Sequence, residues 1–317
     1  MKKKVVLPIL TLAIFLLLVG CKKDKEVVGP TPNPPLAEVP KEATEDEKEV
    51  IMNDFNVLMS GDSNSEDFIS YVDDNIKKLG QIEADTMIDE LEKKLEANKE
   101  ALMNRIFATD KDNELMDIAG GEKYFPEDKI SRIKNDDLKE EVQKAYDNMY
   151  KLVNLEGEFY PIVDYSKLTK YSDTISDELK EYLEIMALDS DNLPFADGGI
   201  TITFEELADR IIKTESHLNK YIAGKRNEEL RSLYSMKLVA YMKGLPNTRI
   251  SDENNQVIDK VFASYQETAA LEGYITSFIL NQYVEDIKAN NGIIDASIIA
   301  KADRYIAEAI RMLEEYK

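Results

Sequence analysis

The residues best able to hold a metal ion gather between positions 189 and 205. Asp189-Ser190-Asp191-Asn192, then Asp197-Gly198-Gly199 and Glu205, set four carboxylates in one turn-rich stretch. Calcium takes roughly six to eight oxygens, and the helix–loop–helix calcium site wants glycine at loop position six and glutamate at position twelve. With Gly198 as that glycine, position one is Leu193 and position twelve is Phe204; with Asp189 at position one, position six is Pro194. Both registers fail. An irregular cation site from Asp189, Asp191, Asp197 and Glu205 stays open beside a plainer reading, an acidic surface loop closed by a helix cap. His217 is the sole histidine. A di-iron Glu-x-x-His pair needs an acid at 214, where Thr214 stands, and no His-Glu-x-x-His pattern occurs. On a helical stretch between Glu215 and Lys220, His217 is expected as a partly exposed structural residue.

Glu215-Ser216 resembles the Glu-Ser pair of lytic transglycosylases. That chemistry uses one carboxylic acid with a raised pKa beside a developing oxocarbenium ion. The family's downstream Gly-Leu-Met-Gln segment is absent, so Glu215 stands as a catalytic candidate on a two-residue match. The 16 tyrosines could stack on glycans, but with no tryptophan they are expected to fill helix interfaces and keep their hydroxyls wet. Glycine-rich phosphate loops and basic-aromatic stripes are missing, so no cofactor is expected.

The elements that must position these residues read as helices almost throughout. Val50, Ile51, Phe55 and Leu58 form a first stripe; Phe68, Ile69, Val72 and Ile76 a second, with Gly80 beyond its end. Met87, Ile88, Leu91, Leu95, Leu102 and Ile106 predict a long helix over about 83–107. Leu138, Val142, Tyr146, Met149 and Val153 extend another over about 136–155. Pro161 forbids one helix through the aromatic stretch 157–165. Helices resume over 176–188, 204–222, 227–243, 252–289 and from 295 onward. The stretch 189–203 is expected as an irregular loop with one short strand at Ile200-Thr201-Ile202. Thr203-Phe204-Glu205-Glu206 fits a capping box. The fold class is all-α, a multi-helix bundle or irregular helical array, over residues 45–317. It is one domain or two, with a break near 157–175 or 189–203.

The N-terminus has its own grammar. Met1-Lys2-Lys3-Lys4 precedes an apolar run from Val5 to Val19, short of the ~20 residues a spanning helix wants. Leu18-Val19-Gly20-Cys21 resembles a bacterial lipobox, which implies a signal peptide over 1–20 and lipid on the Cys21 thiol. Cys21 is the sole cysteine, so no disulfide or other thiol competes for it. Residues 21–44 hold Pro30, Pro32, Pro34, Pro35 and Pro40, a composition that favours an extended tether at ~3.1 Å per residue. Loss of Lys2, Lys3 and Lys4 with the leader takes the net charge from −22 to −25. That field repels nucleic acid and anionic lipid. Because 43% of residues are hydrophobic and fall at helical spacing, folding wins over disorder.

The stretch Phe159-Tyr160-Pro161-Ile162-Val163-Asp164-Tyr165, with Tyr171 and residues 176–186, resembles exported proteins of low-GC Gram-positive bacteria that have no assigned activity. The resemblance spans residues 45–250; it implies localisation and a helical domain and carries no functional residues. The expectation is a lipid-anchored protein on the outer face of a bacterial membrane. Its role would be a non-enzymatic binding or scaffold module for an envelope protein or cell-wall component. The alternatives are a peptidoglycan-acting enzyme using a helix-borne glutamate, and a solute-binding lipoprotein.

Overall fold

The computed structural model describes residues 43–61 and 65–315; Cys21 and the stretches expected as leader and tether, up to residue 42, lie outside them. The described chain opens on a capping box. The Thr44 hydroxyl accepts from the Glu47 amide while the Glu47 carboxylate accepts from the Thr44 amide at 2.8 Å, starting α1 (Glu45–Ser60). One residue earlier, the Ala43 amide donates to the Lys78 carbonyl at 2.9 Å, lashing the chain to the end of α2 (Ser65–Asn75) and its 3-10 extension. The central helix, α3 (Gln81–Thr109), runs 29 residues and buries Met87, Ile88, Leu91, Leu95 and Ile106 completely. Around it pack α1, α2, α5 (Asp136–Asp147) and a β-hairpin, with the short α4 (Glu114–Ala119) between.

That hairpin, β1 (Tyr150–Leu155) with β2 (Glu158–Val163), corrects the expected helix over 136–155. The helix stops at Asp147, Met149 takes a φ of +64°, and the chain turns into a strand. Tyr150, Leu152 and Val153 are aromatic, γ-branched and β-branched; a pleated partner decided their state over their helical spacing. Glu156 (φ +53°) and Gly157 (φ +93°) make the two-residue turn, the left-handed pair that matches strand twist. Pro161 sits opposite Leu152. The Leu152 amide and carbonyl point away from β2, to the Tyr146 hydroxyl and the Phe125 amide. The pair is therefore a non-hydrogen-bonded one, and the missing N–H of Pro161 costs the ladder nothing.

After α6 (Tyr165–Leu168), α7 (Asp177–Asp191) carries Tyr182, Leu183 and Ile185 into the core. A second hairpin follows, β3 (Phe195–Ala196) with β4 (Gly199–Ile200), so the short strand lies slightly earlier than expected and has a partner. Then come α8 (Phe204–Lys220), α9 (Asn227–Lys243), α10 (Asp259–Ala269), α11 (Ile275–Ala289) and α12 (Ala296–Glu315). At the start of α8 the Thr203 hydroxyl caps the Glu206 amide at 3.1 Å, but the Glu206 carboxylate turns to Arg210 instead of back to Thr203. The single helix expected over 252–289 is two. Asp252 folds its own segment by accepting from the amides of Asn254 and Gln256 at 2.8 and 2.9 Å, and Gly273 (φ +85°) separates α10 from α11.

All-α holds as the fold class: the two small hairpins sit within a helical array. One continuous core extends from Phe55 to Leu313 and includes Phe159, Tyr171 and Phe204, across both candidate breaks. No helix of the described residues is long and apolar enough to cross a membrane.

Leu91→Ala is expected to lower the unfolding free energy by about 2–5 kcal/mol, the usual cost of a buried cavity. Gly157→Ala should cost about 1 kcal/mol from its positive φ alone, because an added Cβ there meets nothing within 4 Å. Urea midpoints check both; equal losses would show that the hairpin turn does more than reverse the chain.

Candidate functional site

The acids of the 189–205 stretch do not converge. Asp189 and Asp191 belong to the last turn of α7, not to a loop. Asp189 is held by two buried cations, Arg210 Nη1 at 2.9 Å and Lys237 Nζ at 2.7 Å. Asp191 binds Lys151 Nζ at 2.6 Å and the Ser166 hydroxyl at 2.6 Å. Asp197, at φ +49° in the β3–β4 turn, accepts from the Glu156 amide at 3.2 Å. Glu205 is exposed on the first turn of α8. Protein cations and amides thus take the oxygens that calcium would need, and no metal-holding cluster of three or more His, Cys, Asp or Glu occurs among the described residues.

Glu215 is fully buried in α8 and meets no cleft. One carboxylate oxygen accepts from the Ile275 amide at 2.5 Å; the other accepts from the Thr276 amide at 3.0 Å and the Thr276 hydroxyl at 2.6 Å. The Thr276 hydroxyl, having donated its proton, accepts from Tyr234 at 2.8 Å. Glu215 therefore caps the N-terminus of α11 from a different helix, where free amides and the positive end of the helix dipole favour a carboxylate. Both oxygens are spent, which removes it as a general acid.

His217 is not partly exposed: its side chain is buried, and neither ring nitrogen has a hydrogen-bond partner among the described residues. Tyr221 lies against the ring at 4.8 Å, and a Glu181 carboxylate oxygen stands 4.0 Å from Nδ1. Burial pushes the imidazole pKa down, with Glu181 opposing and Lys220 adding.

The sequence reading passed over a buried ionic knot. Glu92 lies on the inner face of α3 between Leu91 and Leu95 and is 2% exposed. Its Oε1 accepts from the hydroxyls of Tyr165 at 2.7 Å and Tyr182 at 2.6 Å, and its Oε2 pairs with Arg226. Arg226 also bonds Asp89 at 2.8 Å and lays its guanidinium over the Tyr182 ring at 4.7 Å. Burial raises the Glu92 pKa; Arg226 and the two hydroxyls pull it back. An acid at this place on an apolar stripe was the available signal. Lys237 and Arg210 carry the same signal on α9 and α8, each buried among apolar neighbours.

Among the described residues nine tyrosines are buried, and their hydroxyls bond protein groups where wet hydroxyls were expected. Phe204, Tyr241, Tyr265, Tyr283 and Tyr305 form a ladder with successive ring centres 5.8, 5.0, 5.7 and 6.4 Å apart. Tyr241 bonds Ser264 and Thr268, Tyr265 the Tyr241 carbonyl, and Tyr283 the Met242 carbonyl.

Several concave surfaces mark the described residues. A shallow groove between α7 and α9 lies over the ionic knot, with Met186, Leu233 and Met236 beside Arg226 and Glu229. A deeper cavity of about 480 Å³ opens between the first turn of α2, the middle of α3 and the end of α5, with Tyr150 in its lining. There Arg105 Nε binds Glu141 at 2.8 Å. Against known proteins, the chain matches no family model, no curated protein and no solved structure at a significant level.

Glu215→Ala strands two buried amides and a hydroxyl and is expected to cost about 2–4 kcal/mol, with Glu215→Gln losing less because one acceptor survives. A second outcome concerns pH. Unfolded histidine takes its proton near pH ~6.5, whereas burial holds folded His217 lower. Its contribution is intact above that pH and is lost as pH falls through the folded value. Glu92, raised by burial, acts in the opposite sense above pH 4.5, so the difference between wild type and variant isolates His217. Melting curves of His217→Phe between pH 7 and 5 should show a flatter decline than wild type; identical slopes would acquit the histidine.

Proposed function

We propose that this chain is a lipid-anchored, extracytoplasmic binding module that engages an envelope protein or cell-wall component without covalent chemistry. One observation carries the non-enzymatic half. The buried acids Glu92 and Glu215 and the half-buried Asp189 are each taken by protein cations, hydroxyls or helix amides. Meanwhile a cavity of about 480 Å³ opens between α2, α3 and α5, lined by charged and apolar side chains together. Those acids are committed inside the protein and are not free to act as a general acid or base; the concave surfaces between the helices offer places for recognition.

The anchoring half rests on the sequence alone: a basic start, an apolar run, and Cys21 as the sole thiol before a proline-rich stretch. Each buried methylene of an acyl chain contributes ~0.8 kcal/mol, so two or more chains on one cysteine give stable attachment. The peptidoglycan-enzyme alternative has lost Glu215, and Glu92 lies sealed beneath Arg226. A solute-binding lipoprotein of two α/β lobes would need buried parallel sheets, whereas the strands among the described residues form two antiparallel hairpins.

Expressed in a Gram-positive host fed a labelled fatty acid, the wild-type chain should take up label and sediment with membranes. Cys21→Ser should lose the label and stay unprocessed. Label retained by Cys21→Ser, or none on the wild type, overturns the anchor. Loss of muropeptide release on Glu215→Gln, at unchanged melting temperature, would reinstate the enzyme.

A further inference from the structure

His217 is a titratable side chain sealed in the seam between α7 and α8 with nothing to bond. It is 1% exposed, and neither ring nitrogen has a hydrogen-bond partner among the described residues. Few groups bear on it. Glu181 of α7 stands 4.0 Å from Nδ1, Lys220 lies one turn further along α8, and Tyr221 packs its ring with centroids 4.8 Å apart. The next charges along the seam, Glu184 and Lys213, pair with each other at 3.4 Å. A neutral imidazole tolerates this setting. An imidazolium would carry two N–H donors with no acceptor within hydrogen-bond distance.

Glu181 is at the same time the clasp of the turn between α8 and α9. Its Oε1 accepts from Lys220 Nζ at 2.6 Å and from the Tyr221 hydroxyl at 3.2 Å, while Oε2 faces His217. One turn earlier in α7, Glu178 accepts from the Lys225 amide at 2.9 Å, so α7 holds the turn near both ends. The turn in its place delivers Arg226 to Glu92, and Lys225 and Arg226 to the groove between α7 and α9. A proton on His217 favours whichever arrangement gives the imidazolium an acceptor. For Oε2 to reach the ~2.7–2.9 Å of a charged hydrogen bond, the carboxylate moves by about 1 Å. The Tyr221 bond breaks first, because it is already long and its hydroxyl is fixed on a packed ring. The Lys220 ammonium follows on its flexible stem.

We propose that His217, Glu181 and Tyr221 form an acid-operated latch: protonation of His217 turns Glu181 from the Tyr221 hydroxyl to the imidazolium and frees the α8–α9 turn. Burial holds the imidazole below its ordinary value, so the latch is closed at pH 7 and opens as pH falls through that lowered value. The latch needs no ligand and stands or falls apart from the binding-module reading.

Ile222, exposed on the turn next to Tyr221, gives a place for a reporter, and Ile222→Trp supplies the only tryptophan in the full chain. Its emission anisotropy is followed in detergent from pH 7 to 5, beside the proton resonance of the sole histidine and the far-ultraviolet dichroism. The anisotropy should fall with the midpoint of the histidine titration, below pH ~6.5, while the helical dichroism holds. Adding His217→Phe should abolish the fall. With Glu181→Gln the histidine should still titrate, but the turn should no longer follow it. The reporter and the histidine resonance are read on one protein with the latch intact, so a folding defect in either variant cannot obscure the answer. A histidine that stays neutral to pH 5, a flat anisotropy while it titrates, or a fall that comes only with loss of helix overturns the latch. So does a fall that survives His217→Phe.

Discussion

A carboxylate placed inside a helical core must be answered on every side, and in this fold the one that sets the terms is Glu92. Removing a charge from water costs several kcal/mol unless partners replace the lost hydration. Here they come from separated parts of the chain: Tyr165 from α6, Tyr182 from α7 and Arg226 from the turn that begins α9. Those three cannot all reach one carboxylate unless α6 and α7 lie against α3 in a single register and the start of α9 closes over them. Apolar packing would tolerate small slips of these helices; the hydrogen bonds would not. Whatever else the array does, its N-terminal and C-terminal helices meet around this point.

The same logic recurs with different partners. Asp189 near the end of α7 is met by Arg210 from α8 and Lys237 from α9, so a half-buried acid ties these three helices together. Glu215 in α8 is met by the open amides of α11 and needs no cation. A chain with 62 acidic residues against 40 basic ones repels itself at its surface. Inside, it spends cations and helix ends on a few acids, and these cross-links hold where general electrostatics would push apart. Hydroxyls do similar work among α9, α10 and α11, where Tyr234, Tyr241 and Tyr283 each find a buried partner.

Much of the scaffold was legible because periodicity survives in long helices. The six apolar positions from Met87 to Ile106 are all buried, and the expected ends of α8 and α9 fall within two residues of those observed. Where reading failed, the spacing was ambiguous. Val153 continues the three- and four-residue steps of α5, and Glu156-Gly157 was the weaker clue that a turn follows. Apolar residues likewise recur through 258–284, so the break at Gly273 was hidden behind a stripe that both α10 and α11 satisfy. The acids and bases of the interior were visible as misfits on apolar faces, but their partners were not, since Glu92 and Arg226 stand 134 residues apart. The cavity was beyond reach for the same reason: its walls come from positions 65–66, 98–105 and 141–150.

The tyrosine ladder has a consequence for how the protein can be watched. With no tryptophan anywhere in the chain, ultraviolet emission belongs to tyrosine. Tyr241, Tyr265, Tyr283 and Tyr305 lie edge to face or tilted, closely enough for excitation to pass from ring to ring. The C-terminal helices thus contain a chain of coupled chromophores whose anisotropy and near-ultraviolet dichroism depend on α9 to α12 staying in register. The native chain carries an optical gauge of one half of its own core, and a single tryptophan placed beside α3 would supply an independent colour for the other half.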